Sequence, residues 1–273
     1  TMKKKILAIG LAAAMSVTAV GGMAGCGSGD GVIKVTGSSS VAPLMEKLAE
    51  AYEAKNEGID VQVTSTDSGS GITDARDGLN DFGMASRALK NTETGVVSKQ
   101  IAIDGVAIIV NNSVTDLTDV TGAQLYDLYA NGTAIGSITS AISREDGSGT
   151  RDAFDSLIKN ADGDELGEIT KFSSVVSTSQ GTGDVKTAVA GNTSTLGYIS
   201  LGSVDSTIKA IKFEGVDATA ANVKNGTYKL SRPFNIVYTS EDDLSDEAKA
   251  FIDFIMSAEG QAIVTEDGYV SMI

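Results

Sequence analysis

Three times along this chain a β-rich run ends in a turn of glycine and hydroxyl residues and passes directly into an amphipathic helix. Residues 32–35 end in Thr36-Gly37-Ser38-Ser39-Ser40, after which Val41, Leu44, Leu48 and Tyr52 recur at helical spacing. Pro43 sits in the first turn of that helix, where its missing N–H costs nothing. Residues 61–63 lead to Asp67-Ser68-Gly69-Ser70-Gly71 and then to Ile72, Ala75 and Leu79. Residues 135–142 lead to Ser143-Arg144-Glu145-Asp146-Gly147-Ser148-Gly149-Thr150 and then to Ala153, Phe154, Leu157 and Ile158. Strands that hand over to helices in this way build mainly parallel, helix-covered sheets. They also gather their loops at the carboxyl ends of the strands, where open α/β sheets collect ligands.

The third loop is the richest chemically. Gly147 and Gly149 let the backbone turn sharply and approach a ligand, while Ser148 and Thr150 bring hydroxyls to a helix start whose N–H groups lack intrahelical partners. Arg144 adds a planar cation suited to tetrahedral oxyanions, and Asp146, two residues on, is placed to brace it. Capped helices use the same residue types, so one such loop alone fits an ordinary helix start equally well.

Between and after these units the pattern continues. A short buried strand over 82–86 ends in Ser86-Arg87, and 101–110 is the longest β-like run. A short helix follows over 121–129, a strand over 172–176, and a helix opens after Gln180-Gly181-Thr182-Gly183 with Val185, Val189 and Ala190 inward. Residues 196–199 form a buried strand, 230–239 are extended around Pro233, and 248–256 form a helix that ends near Gly260. Asp162-Gly163-Asp164-Glu165-Leu166-Gly167 starts like a calcium loop, but Leu166 takes a ligand position and Ser173 stands where a bidentate Glu is required.

Composition narrows the chemistry. The 273 residues are 41% hydrophobic and 21% charged, enough for a substantial core. His and Trp are absent and there is one Cys, which removes Ser-His-Asp and Cys-His catalysis, His-based zinc sites and an internal disulfide. Lys3–Lys5, an apolar run over 6–20 and Met23-Ala24-Gly25-Cys26 predict a secretory signal over 1–25, with residues 26–30 supplying Cys26 and a tether. The end of that segment resembles a bacterial lipoprotein signal, in which the Cys is acylated, although Met23 stands where Leu is usual. The formal charge of −15 grows more negative once the signal lysines are removed, so nucleic acid and anionic membrane surfaces are poor partners. A small anion in a dry site responds instead to donors within a few ångströms.

Taken together, six segments resemble the phosphate-binding lipoproteins of bacterial ABC uptake systems. They are residues 37–44, 68–72, 82–87, the Arg-x-Asp-Gly-Ser-Gly-Thr loop within 143–151, 197–202, and Ser231-Arg232-Pro233-Phe234. The resemblance implies an α/β, two-lobed periplasmic-binding-protein-like fold, with two sheets, flanking helices and two crossing segments. Lobe 1 would be 31–105 plus 236–273 and lobe 2 would be 106–235, with crossings over 106–110 and 233–237.

It further implies a phosphate site formed by Ser39, Ser40, Val41, Ser68, Ser86, Arg87, Arg144, Ser148, Gly149 and Thr150. Well-known members carry an Asp where this chain has Arg87, and that Asp accepts the phosphate proton; Asp67 is the nearby replacement. The implied function is capture of inorganic phosphate and delivery to an ABC permease. The protein would be a non-enzymatic monomer without metal or cofactor, lipid-anchored through Cys26 to the outer face of the cell membrane. A binding protein for sulfate, molybdate or arsenate shares this architecture. A phosphoester hydrolase would need a nucleophile with a base, or a metal cluster, and the sequence supplies neither motif.

Overall fold

The structure, a computed structural model, describes residues 31–273; the expected signal, Cys26 and the tether lie outside the described residues. The first unit runs β1 (Val32–Ser38), α1 (Ala42–Glu53), β2 (Asp60–Thr66), α2 (Ser68–Arg76), β3 (Phe82–Ala85). Then come β4 (Val97–Asn111), β5 (Asp119–Val120) and α3 (Gly122–Asn131). A second unit follows as β6 (Ser140–Arg144), α4 (Gly149–Leu157), β7 (Val176–Ser179), α5 (Gly181–Ala190), β8 (Thr195–Ser200). The chain closes with β9 (Ile208–Phe213), α6 (Ala220–Lys224), β10 (Ser231–Tyr238), α7 (Asp246–Met256) and α8 (Ala258–Glu266).

The two βαβαβ units are wound alike. In the first, β1 is central and pairs in parallel with β2 on one side and β3 on the other. In the second, β6 is central, with β7 and β8 parallel on either side. In each unit the first strand is thus where the chain changes direction across the sheet, so the loop after it faces the crevice in which such sheets bind ligands.

The long strand β4 joins the units. Its first part, through Gly105, pairs antiparallel with β10, which also pairs with β3. From Val106 onward it pairs with β8 on one side and β9 on the other. The two sheets therefore share β4, and β5 extends the second beyond β9. Alternation along β4 feeds two layers: Val106, Ile108 and Val110 face one core, while Ala107 and Ile109 face α5 through Val185 and Val189.

Each sheet is covered on both faces, as parallel strands require. The first core packs α1, α7 and α8 on the sheet through Leu44, Leu48, Phe251 and Val264, and α2 covers the opposite face with Ile72 and Ala75. The second core joins Leu125, Tyr129, Phe154 and Tyr198. The Phe154 and Tyr198 rings stack with centroids 3.9 Å apart, which pins α4 beside the end of β6. Several boundaries differ from the sequence expectation: β6 begins only at Ser140, and α2 ends at Arg76, which leaves Leu79 off the helix and exposed. The strand expected over 172–176 begins only at Val176, and the expected C-terminal helix breaks at Ser257, whose hydroxyl caps a second helix, α8. Among the described residues, no helix is long and apolar enough to cross a membrane.

On α4, burial raises the Asp155 carboxyl to about 6 against the opposing pull of Arg151, and its Oδ1 has no hydrogen-bond partner. A carboxyl whose pKa rises on folding stabilises the fold below its unfolded value of 3.8, and that contribution is lost as pH climbs through about 6. Asp155→Asn should therefore stabilise the protein by on the order of 1 kcal/mol at neutral pH, with the gain vanishing near the unfolded pKa of ~4. Urea denaturation at both pH values checks this, and an equal effect at both would contradict it.

Candidate functional site

The loops after the two central strands meet. Ser40, at the end of the β1 loop, and Thr150, in the first turn of α4, are both buried, and their hydroxyls lie 2.9 Å apart. The Arg144 guanidinium stands over this pair, with Nη1 donating to Thr150 Oγ1 at 3.4 Å and Nη2 donating to Ser39 Oγ at 3.1 Å. Beside them the Ser68 and Ser86 hydroxyls, from the start of α2 and the end of β3, are 3.3 Å apart, and Ser68 Oγ accepts the Ser86 N–H at 3.1 Å.

Gly149 closes the space between the two groups. A Cβ built there would fall 2.3 Å from Ser68 Oγ and 2.7 Å from Ser86 Oγ, so only glycine lets α4 come this close. The N–H groups of Gly149 and Thr150 belong to the first turn of α4, where helical geometry leaves them without intrahelical partners. The result is a buried layer of hydroxyl and N–H donors next to a guanidinium, drawn from both βαβαβ units.

Arg144 is 1% exposed, and its brace is Glu145 rather than the expected Asp146. Glu145 accepts from Arg144 Nε at 2.8 Å and from Nη2 at 2.7 Å, a two-point contact that fixes the plane of the guanidinium. The same carboxylate accepts the Gly181 N–H at 3.2 Å. Asp146 points to solvent and pairs with Arg151 at 2.6 Å. The reason is burial: a guanidinium drawn into the interior needs a partner that is buried with it.

Four expected site groups make contacts of their own. Arg87 is turned away from the hydroxyl layer, with Nη1 and Nη2 on Glu93 at 2.8 and 2.7 Å. Its Nε lies 2.7 Å from Asp152 Oδ2, close but not aligned for a hydrogen bond, and Lys90 Nζ is also 2.7 Å from that oxygen. Burial works against charge on Arg87, but Glu93 and Asp152 together outweigh it and raise its pKa.

Asp67 caps α2: its carboxylate accepts from Ser70 N–H at 2.9 Å and from the Ser70 hydroxyl at 2.6 Å. It packs so tightly on Gly147 that a Cβ there would lie 2.4 Å from Oδ1. The Val41 N–H closes a turn on the Ser38 carbonyl at 3.0 Å, and the Ser148 hydroxyl caps α4 by accepting the Arg151 N–H at 3.3 Å.

Two further features carried no assigned role in the sequence. Thr182, at the start of α5, places its hydroxyl 3.3 Å from Ser40 Oγ and 3.4 Å from Ser39 Oγ. Arg232, on β10, pairs with Asp104 on β4 through Nε at 3.0 Å and Nη2 at 2.9 Å, and its Nη1 donates to the Ser86 carbonyl at 3.4 Å. Burial raises the Asp104 carboxyl to about 6 against the pull of Arg232, and burial likewise lowers the Arg232 pKa, helped by nearby Arg144. Burial thus works against the charged form of both partners, and their mutual contact opposes it.

Removing one member of the Arg144–Glu145 pair strands a buried charge. Glu145→Ala should destabilise the protein by about 3–5 kcal/mol, whereas Arg144→Met with Glu145→Leu should cost less than the single change. Chemical denaturation of both variants decides this; a double variant as weak as the single would show that the loss is packing rather than charge.

Residues 24–259 match the family model described as a PBP superfamily domain. A phosphate ABC transporter substrate-binding protein from Clostridium perfringens, solved with bound phosphate, is 37% identical, with a TM-score of 0.81 over 89% of this chain and 100% of that one. An ABC-type phosphate transport receptor from Vibrio cholerae is 33% identical, with a TM-score of 0.69 over 88% of this chain and 99% of that one. Phosphate-binding protein PstS 2 of Streptococcus agalactiae is 42% identical over 135 residues, which is 48% of this chain and 45% of that protein, so the match spans about half of either length. The chain belongs to the PBP superfamily and, within it, to the family of phosphate ABC transporter substrate-binding proteins.

Proposed function

We propose that this chain captures inorganic phosphate between two lobes, 31–105 with 236–273 and 106–235, and delivers it to an ABC permease without chemical change. The observation that carries this reading is the buried donor layer shared between the units, with Ser39, Ser40, Ser68 and Ser86 on one side and Arg144 and Thr150 on the other. A tetrahedral anion has acceptor oxygens pointing in several directions, and this layer offers hydroxyls, helix N–H groups and a fixed cation from several directions. The bound phosphate in the related Clostridium protein supports the choice of ligand.

In this reading the ligand groups are the five hydroxyls, the Arg144 guanidinium and the first-turn N–H groups of α4. Ser148 and the Val41 turn hold those termini in shape. Arg87 and Lys90 meet Asp152 across the lobes, so closure gains ion pairing at the rim. With Asp67 engaged by Ser70, the phosphate proton is read by hydroxyl oxygens, which accept as well as donate. Cys26 carries the acyl anchor that keeps the protein, a monomer, at the outer face of the cell membrane.

Titration calorimetry of the chain with phosphate, sulfate, molybdate and arsenate tests the reading. Phosphate should bind at one site and more tightly than sulfate; tighter binding of another of these anions would transfer the assignment to it. Arg144→Lys keeps a partner for Glu145 but loses the planar fork, and it should weaken phosphate by about 1.5–3 kcal/mol. Unaltered affinity in that variant would remove Arg144 from the site.

A further inference from the structure

The two βαβαβ units place their helix starts in corresponding positions. The helix after the central strand is α1 in the first unit and α4 in the second; Ser40, just before α1, and Thr150, in the first turn of α4, meet in the shared layer. The helix after the flanking strand is α2 in the first unit, which brings Ser68. Its counterpart in the second unit is α5, since β7 stands to β6 as β2 stands to β1. Both α2 and α5 cover the same relative face of their sheets, each with a small core of its own. By this correspondence the start of α5 belongs to the ligand layer.

The contacts at that helix start agree. Thr182 is 7% exposed, and its hydroxyl lies within reach of both Ser39 and Ser40 from the opposite unit. Its N–H donates to Ser39 Oγ at 3.3 Å, the same oxygen that accepts from Arg144 Nη2 at 3.1 Å. The α5 N-terminus has no side-chain cap from Gln180; its first N–H groups are met by Glu145 and Ser39 instead. Gly181 has φ +65°, the left-handed conformation that lets the chain leave β7 and aim those groups inward. Two donors from the second unit therefore converge on one neutral hydroxyl oxygen of the first. An anionic oxygen is a stronger acceptor for the same pair of donors.

We infer that Thr182, through its hydroxyl and N–H, is a ligand-contacting residue that helps select a tetrahedral oxyanion, completing a set of four helix starts, two from each unit. The inference rests on the oxyanion-binding reading of the site. It gives Glu145 a second positioning role, because that carboxylate holds Arg144 and the α5 terminus together.

The test is calorimetry with inorganic phosphate on the full chain and on Thr182→Val, Thr182→Ala and Thr182→Ser, with thermal melting of each without ligand. Valine keeps the shape and removes the hydroxyl, so it should weaken phosphate by about tenfold to a hundredfold, the range for a hydrogen bond to a charged group. Thr182→Ala should lose a similar factor, Thr182→Ser should recover most of the affinity, and ligand-free melting should stay near that of the parent. If the parent binds phosphate and either folded variant without the hydroxyl binds it equally well, the inference is overturned. If the parent itself shows no phosphate binding, it is the underlying reading of the site that fails.

Discussion

A guanidinium that is 1% exposed has lost nearly all of its water, and the structure around Arg144 is organised by that cost. Glu145 offsets part of it through two hydrogen bonds, and further donors turn to Thr150 and to Ser39 of the opposite unit. Those hydroxyls can be there only because α4 approaches at Gly149 without a side chain in the way. Tyr198 supports the arrangement from below: its hydroxyl accepts the Arg144 N–H at 3.3 Å and meets Ser143 Oγ at 3.1 Å, while its ring stacks on Phe154. Packing, backbone and charge thus fix one direction for the cation.

The same logic governs the passage between the two units. On β4, Ala102 lies in the first core and Val106 in the second; Leu230, immediately before β10, lies in the second and Phe234, on β10, in the first. Asp104 and Arg232 are cross-strand partners midway along both passages. Asp104 also accepts from Ser200 Oγ at 3.0 Å and from the Leu201 N–H at 3.2 Å, so one carboxylate ties β4, β8 and β10 together where the cores change over. A buried pair whose members are each pushed toward neutrality is an expensive way to make a joint. It does, however, tie the strand crossing to Ser86 through the carbonyl that Arg232 reaches, and hence to the site itself.

Much of this was legible in the chain because local chemistry and the global fold agree. Hydroxyl-glycine turns followed by helical periodicity located β1–α1, β2–α2 and β6–α4, and the start of α4 falls where the Ser148 cap and the Phe154 face place it. What escaped depends on long-range placement. Asp146 is the brace that the sequence suggests, and only the burial of Arg144 selects Glu145, which goes in with it. Arg87 ends a buried strand beside Ser86, yet Glu93 and Asp152 draw its side chain to the rim, and neither partner is visible from local spacing. Asp67 reads as a loop carboxylate and is the cap of the next helix, a role that Ser70 three residues later does signal. Gln180-Gly181-Thr182-Gly183 lacks the Arg and the paired hydroxyls of the turn before α4, so the place of Thr182 follows only from the repeat of the winding and its contacts.

The central claim is that the hydroxyl layer and Arg144 hold the anion between the two units. A crystal structure of the chain grown with phosphate tests it most directly. The account predicts one phosphate with oxygens in hydrogen-bond contact with Ser40, Thr150, the α4 first turn and Arg144, and with the direct Ser40–Thr150 contact replaced by contacts to the anion. Phosphate bound instead at the rim, on Arg87 and Lys90, with the Ser40–Thr150 contact kept, would contradict it.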